Sequence, residues 1–325
     1  MVFDGHSDLL YDVARRRLAG EKQVLERRHR GRLEKGGVEG LVLALWTSST
    51  GETFWPAVPG AETAAARTAM TVECARTEFA ECPWLAVVRT AAEAERARAA
   101  GKLYAFLGVE GMAAIGEDLS GIDRYADWGA RLGMLTWNEE NALATGAGGD
   151  AYSGLTELGK QAIRRMGRRG MLTDVSHLND GGFRDVMKLA DGPVIASHSN
   201  CRGLCDVRRN LTDDQLRAVR DADGVVGLNA YARFIGETPE EQTVRRLALH
   251  AAHMAEVMGV DHVGCGFDFV EFLDDGDAPS RTAGLADAGE VPNLFTCLAE
   301  LGMTAEELEK IARLNFQRVL RRTVG

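Results

Sequence analysis

The chain has 325 residues, 45% of them hydrophobic and 26% charged, and a net charge of −10. This is the balance of a soluble globular protein, and it argues against a nucleic-acid partner, which calls for a basic stripe or surface. No stretch approaches the roughly 18 apolar residues of a membrane span, and the expectation is that no leader, arm or further domain precedes the first strand. Six scattered cysteines, none in a Cys-x-x-Cys pair, predict free thiols in a reducing cytoplasm and leave histidine and carboxylate as the metal ligands on offer.

In chain order, short β-rich apolar runs predict strands at Val2–Gly5, Leu41–Trp46, Leu103–Val109, Leu132–Trp137, Met171–Val175, Pro193–Ser197, Gly224–Asn229 and His262–Asp268. Between them, Thr90–Ala100, Leu158–Arg169 and Val244–Met258 carry apolar residues at helical spacing. The alternation predicts a parallel sheet of βα units, and eight of them predict an α/β fold, the (β/α)8 TIM barrel, as a single domain over 1–325. No Gly-x-Gly-x-x-Gly follows the first strand, which speaks against a dinucleotide fold. Segments 47–64, 137–151 and 271–292 read as loops over the barrel mouth. The basic runs 27–30 and 164–169 read as solvated faces.

The chemistry lies at the carboxyl ends of the predicted strands. The first ends in His6-Ser7-Asp8, the third in Val109-Glu110-Gly111, the fifth in Ser176-His177, the sixth in Ser197-His198 and the eighth in Phe267-Asp268. Residues i and i+2 of a strand share a face, so His6 and Asp8 offer an imidazole and a carboxylate together. Strand ends converge at one mouth of a barrel. Three histidines and three carboxylates meeting there imply a metal or proton transfer, because unpartnered buried charge is costly. Glu110 stands in an otherwise apolar strand. Shared between two cations it would be stabilised by both, which points to a binuclear centre with Glu110 as the bridge. His250 and His253, three apart on a helix outside the barrel, read as packing or solvent contacts.

His6-Ser7-Asp8, Val109-Glu110-Gly111, Thr173-Asp174-Val175-Ser176-His177, Ala196-Ser197-His198-Ser199, Arg209-Asn210-Leu211 and Gly266-Phe267-Asp268-Phe269 resemble the membrane (renal) dipeptidase family of zinc metallopeptidases, M19. The likeness runs from residue 2 to about residue 320. It implies an amidohydrolase-like barrel holding two zinc ions, with His6 and Asp8 on one, His177 and His198 on the other, and Glu110 between them. A hydroxide shared by the ions would attack the peptide carbonyl, with Asp268 as acid/base and Arg209 on the substrate carboxylate. The implied substrate is a small dipeptide, including those with a D-residue in second place, and the implied assembly is a homodimer. From the sequence alone Arg209 has a second reading, a surface pair with Asp206 or Asp213. The family's Leu-Thr-His after the fourth strand is here Leu135-Thr136-Trp137. Trp137 has one N–H and does not titrate near neutrality, so it reads as a pocket wall or donor that alters substrate choice. Two rival functions follow: a hydrolase of other small amides or acylated amino acids, and a catalytically silent binding protein.

Overall fold

The structure is a computed structural model, and it describes residues 1–46, 58–273 and 281–325. All eight predicted strands form. In chain order the strands are β1 (Val2–Ser7), β2 (Val38–Trp46), β3 (Leu85–Val87), β4 (Leu103–Glu110), β5 (Ala130–Met134), β6 (Leu172–Asp174), β7 (Val194–Ile195), β8 (Val226–Leu228) and β9 (Val263–Cys265). Every pairing is parallel, in the order β7-β6-β5-β4-β2-β1-β9-β8. The ends of that order meet through a parallel bridge between Ala196 and Val226, in which Gly227 N–H donates to Ala196 O at 2.8 Å. The sheet therefore closes into an eight-stranded (β/α)8 barrel, as predicted.

The short strand β3 was not foreseen. It lies along the first half of one edge of β4, pairing Leu85–Val87 with Leu103–Ala105, and β5 takes over the same edge from Leu107 onward. The strand bounds shift by a few residues throughout, and one shift matters for the site. The strand predicted at 132–137 is 130–134, so Trp137 lies three residues beyond it. The predicted loops over the mouth fall partly at 47–57 and 274–280, outside the described residues. The loop predicted at 271–292 ends slightly earlier, because a helix starts at Val291 with Pro292 in its first turn.

Six helices begin at a threonine cap. Thr63, Thr90, Thr156, Thr212, Thr243 and Thr304 each accept a backbone N–H from three residues on. At Thr90, Thr212 and Thr304 a Glu or Gln reaches back to complete a reciprocal capping pair. One basic run departs from its prediction: His29 is buried, its Nε2 2.8 Å from the buried Asp12.

The lower barrel interior is filled by apolar side chains, among them Phe3, Val42, Phe106, Leu132, Leu172, Ile195 and Val225. Phe316, from the C-terminal helix Asn315–Val324, closes its floor with its ring 5.7 Å from Phe3. Gly5 and Gly264 make room for it, since a Cβ on either would come within 2.5 Å of that ring. The filled layer keeps water out from below and leaves the opposite, carboxyl end of the strands as the place for chemistry. Phe316→Ala is expected to cost about 3–5 kcal/mol and to lower the thermal unfolding midpoint by several degrees in calorimetry. An unchanged midpoint would contradict its role as the plug.

Candidate metal centre

Six of the residues singled out in the sequence meet at the carboxyl ends of five strands. His6 is the penultimate residue of β1 and Glu110 the last of β4. Asp8 follows β1, while His177, His198 and Asp268 follow β6, β7 and β9. His6 Nε2 is 3.3 Å from Glu110 Oε2, 3.6 Å from Asp8 Oδ1 and 3.9 Å from Asp268 Oδ1. His177 Nε2 is 2.7 Å from Glu110 Oε1 and 2.9 Å from His198 Nε2. Glu110 thus turns one carboxylate oxygen toward His6 and the other toward His177.

The tautomers of the imidazoles follow from their outer partners. His177 Nδ1 is 2.9 Å from Asn138 Oδ1, which can only accept, so Nδ1 carries the proton and Nε2 presents a lone pair. The Arg209 guanidinium, which only donates, lies 3.2 Å from that Nε2 and fits the same tautomer. Behind His198 runs a chain of hydroxyls. Its Nδ1 is 2.8 Å from Ser197 Oγ, which is 3.3 Å from Ser176 Oγ, which donates to Asp174 Oδ1 at 2.7 Å. With the chain ending on a carboxylate, each member donates toward Asp174 and His198 Nε2 too is left with its lone pair. Lone pairs so close to one another and to a carboxylate repel, unless a cation or a shared proton lies among them.

Burial sharpens the conflict. His6 Nδ1 and Nε2, Asp8 Oδ1 and Glu110 Oε2 are all shielded from solvent and lack a hydrogen-bond partner. Burial, reinforced by the neighbouring Asp8, pushes the Glu110 carboxyl up to about 8. Burial likewise raises Asp268 to about 7. His6 resists the depressing effect of burial and is driven well above its ordinary value by Glu110 and Asp8. Burial, with Arg209 and His6 adding to it, holds His177 and His198 well below theirs. Two sets of donors, His6 with Glu110 and His198, and His6 with Asp8 and Asp268, each have their ligand atoms within 4.8 Å of one another. Nitrogen and oxygen donors with orphaned buried atoms are the chemistry that a divalent transition ion satisfies, so the residues fit a metal centre.

The framework around the cluster is largely polar, and the sequence reading gave it no role. Asp4 Oδ1 accepts from the backbone N–H of His6 at 3.3 Å and of Phe267 at 2.8 Å, binding β1 to β9 beneath the ligands. Asp174 Oδ1 accepts from the backbone N–H of Ser176 and Ser197 and ties β6 to β7 in the same way. Asn229 Nδ2 donates to Asp268 Oδ2 at 3.0 Å. Asp268 itself has a left-handed backbone, φ +55°, a conformation that costs a non-glycine residue about 1–2 kcal/mol. That strain aims its carboxyl into the mouth. A carboxylate inside an apolar strand, as at Asp4, was the one available signal for this framework.

Arg209 is not on a surface pair with Asp206 or Asp213. It is buried, donates to Ser176 O and to His198 O at 3.3 Å, and sets its guanidinium carbon 5.3 Å from the centre of the Phe234 ring. Trp137 packs edge-on against Trp46, with centroids 5.3 Å apart, and its ring lies 6.2 Å from that of His177. Both tryptophans line a cavity of about 440 Å³ over the cluster, whose floor includes Asp8, Glu110, His177 and Asp268. His250 is buried but far from ligand duty: it accepts from Cys201 N–H and donates to Ile235 O. His253 pairs with Asp213.

A closed parallel barrel with imidazoles and carboxylates at its strand ends is of the amidohydrolase-like kind. The chain belongs to the membrane dipeptidase family, peptidase family M19, whose model matches residues 1–324. A Schizosaccharomyces pombe protein described as an uncharacterized dipeptidase is 35% identical over 224 residues, 68% of this chain and 53% of its own. The chain thus matches about half the length of that relative. Among solved structures, a Rhodobacter sphaeroides metallo peptidase liganded with a phosphinate mimic of L-Ala-D-Ala is similar at 29% identity, with a TM-score of 0.86 and 99% of both chains covered. The M19 dipeptidase AC is 29% identical with a TM-score of 0.85, covering 100% of this chain and 98% of its own.

Two outcomes test the centre. Asp174→Ala removes the end of the hydroxyl chain behind His198 and is expected to weaken metal binding about 10–100-fold in a competition titration with a chromophoric chelator. Unaltered affinity would contradict the role given to that chain. In metal-stripped protein the raised Glu110 pKa contributes stability that is full below about 4.5 and lost as the pH rises through about 8. Glu110→Gln has no such proton to lose. Its unfolding free energy from denaturant titration should therefore gain on the wild type from pH 5 to pH 8, by at most about 1.4 kcal/mol per pH unit. A gap independent of pH would contradict the burial argument.

Proposed function

We propose that the chain is a zinc-dependent dipeptidase, in which His6, Asp8, Glu110, His177 and His198 hold two ions and Asp268 moves the proton. The observation that carries this reading is the convergence of those side chains, several with orphaned buried atoms, under a cavity of a size for a small ligand. Two bound divalent ions would supply Lewis acidity toward the scissile carbonyl and a water acidic enough to attack near neutral pH. The protein's own residues do the rest. Glu110 offers one oxygen to each half of the cluster, and Asn138 and Ser197 keep the imidazole lone pairs facing it. Asp268, a carboxyl at the cavity floor, can take a proton and return it to the leaving amine, and the amide of Asn229 fixes its orientation.

Arg209 places a permanent cation beside His177, where it suits the terminal carboxylate of a dipeptide. Burial lowers its pKa to about 10, which leaves it charged at neutral pH. Trp137 and Trp46 close the other side of the cavity and help exclude water. The mimic in the Rhodobacter structure is of a dipeptide with a D-residue in second place, which supports extending the same reading to L-D dipeptides. A homodimer and a cytoplasmic location belong to the same reading. The first rests on the resemblance and the second on six free cysteines. No described helix is long and apolar enough to cross a membrane.

The test is turnover of a mixed L-L and L-D dipeptide set by metal-replete protein. Asp268→Asn should lower kcat by about 10²-fold or more while metal content stays the same. Arg209→Met should raise KM for free dipeptides and leave their C-terminally amidated forms as poor as before. Turnover of amidated and free forms at equal rates would favour a hydrolase of other small amides. Absence of turnover with two metals bound would contradict the dipeptidase reading.

A further inference from the structure

Diametrically across the barrel from β4 stands β8, and the turn after it faces the two tryptophans. This turn, Tyr231–Phe234, presents Tyr231, Arg233 and Phe234 to the cavity. Its backbone is held with unusual completeness by buried polar side chains. Thr282 Oγ1 donates to Ala230 O at 2.6 Å, Asn210 Nδ2 to Phe234 O at 2.9 Å and His250 Nε2 to Ile235 O at 2.9 Å. Asn200 Nδ2 donates to Asn229 O at 2.9 Å, and Tyr231 N–H donates to Asn229 Oδ1 at 2.6 Å. Asn200, Asn210 and His250 are fully buried. Asn229 also serves Asp268, but Thr282, Asn210 and His250 touch none of the residues of the metal cluster. Buried amides and an imidazole spent on one short turn make it a rigid platform, and rigid platforms set selectivity.

What the platform carries is charge. Asp8, Glu110 and Asp268 supply the negative groups of the cavity floor, and Arg233 is the one arginine or lysine among the described residues lining the cavity. It forms no ion pair with any described carboxylate, in a chain whose net charge is −10. Arg209 rests on the Phe234 ring at 5.3 Å, and Phe234 and Arg233 line the cavity side by side on this turn. If Arg209 takes the main-chain carboxylate of the second residue, as proposed above, the side chain of that residue is left on the Phe234 side of the cavity, where Arg233 is the cation within the lining.

Resting on that reading, we propose that Arg233 is a specificity-determining residue that selects dipeptides with an acidic side chain, aspartyl or glutamyl, in second place. The guanidinium fork matches a carboxylate and not its neutral amide. Its position at the open mouth makes the interaction sensitive to salt and moderate in size.

The experiment compares L-Ala-Asp with L-Ala-Asn, each with an L- and a D-second residue, on metal-replete full-length protein. The wild type should favour the acidic member by about tenfold in kcat/KM, chiefly through KM, and the preference should shrink as salt is raised. Arg233→Gln should bring the ratio close to one, and Arg233→Lys should restore part of it. Arg217→Gln, which removes an exposed charge paired with Asp214 away from the cavity, should leave the ratio as it was. A wild-type ratio near one, or a ratio unmoved by Arg233→Gln, overturns the proposal while leaving the dipeptidase reading intact. No turnover of either member, with other dipeptides hydrolysed, overturns the proposal alone; no turnover of any dipeptide overturns both.

Discussion

The electrostatics of one small volume govern the rest of the molecule. Three imidazoles and three carboxylates are brought within a few ångströms at the mouth of a barrel whose floor is apolar. Without a cation the volume is in conflict. Glu110 and Asp268 are pushed toward protonation, His6 is pulled toward the charged form, and His177 and His198 are kept neutral. Such a grouping is costly by itself, because desolvated charge with imperfect partners is among the largest penalties a fold bears. It becomes favourable only with positive charge at its centre. Protein and metal therefore form one electrostatic unit.

The barrel suits this task for a geometric reason. Parallel strands send every carboxyl end to the same side, so residues more than 250 positions apart, such as His6 and Asp268, become neighbours without long loops. Two buried carboxylates, Asp4 and Asp174, then stitch adjacent strands directly under the ligands through backbone N–H groups. A backbone anchored this way holds the ligands to the tolerance that metal chemistry demands. Specificity is built differently, on the segments beyond the strands. There Trp46 and Trp137 form one wall and the pinned turn after β8 forms the other.

Much of this was legible in the sequence because two signals coincided. Apolar runs of strand length gave the eight barrel strands, and polar residues at their ends, above all Glu110 after a run of apolar neighbours, marked the mouth. What escaped had no such signal. The strand β3 is three residues long and owes its existence to the free edge of β4. Asn138, Asn229 and Ser197 act as partners only because another strand end is brought beside them, and no spacing in the chain encodes that. His29 sits in a run of arginines yet is buried, since Asp12 on another helix offers it a partner. His250 has the spacing of a ligand with His253, but its ring serves the backbone of a distant turn. Arg209 had two sequence readings, a surface pair or a site group, and only the fold of its loop across β6 and β7 separates them.

The most direct test of the account is calorimetric titration of zinc into metal-stripped protein near neutral pH, repeated in buffers of different ionisation enthalpy so that released protons are counted. The account predicts saturation at two ions per chain with net proton release, because carboxyl and imidazole groups held protonated in the stripped protein must give up their protons to bind. Absence of saturable binding, or binding with no proton exchanged, would contradict the claim that this cluster is a metal centre built on opposed charges.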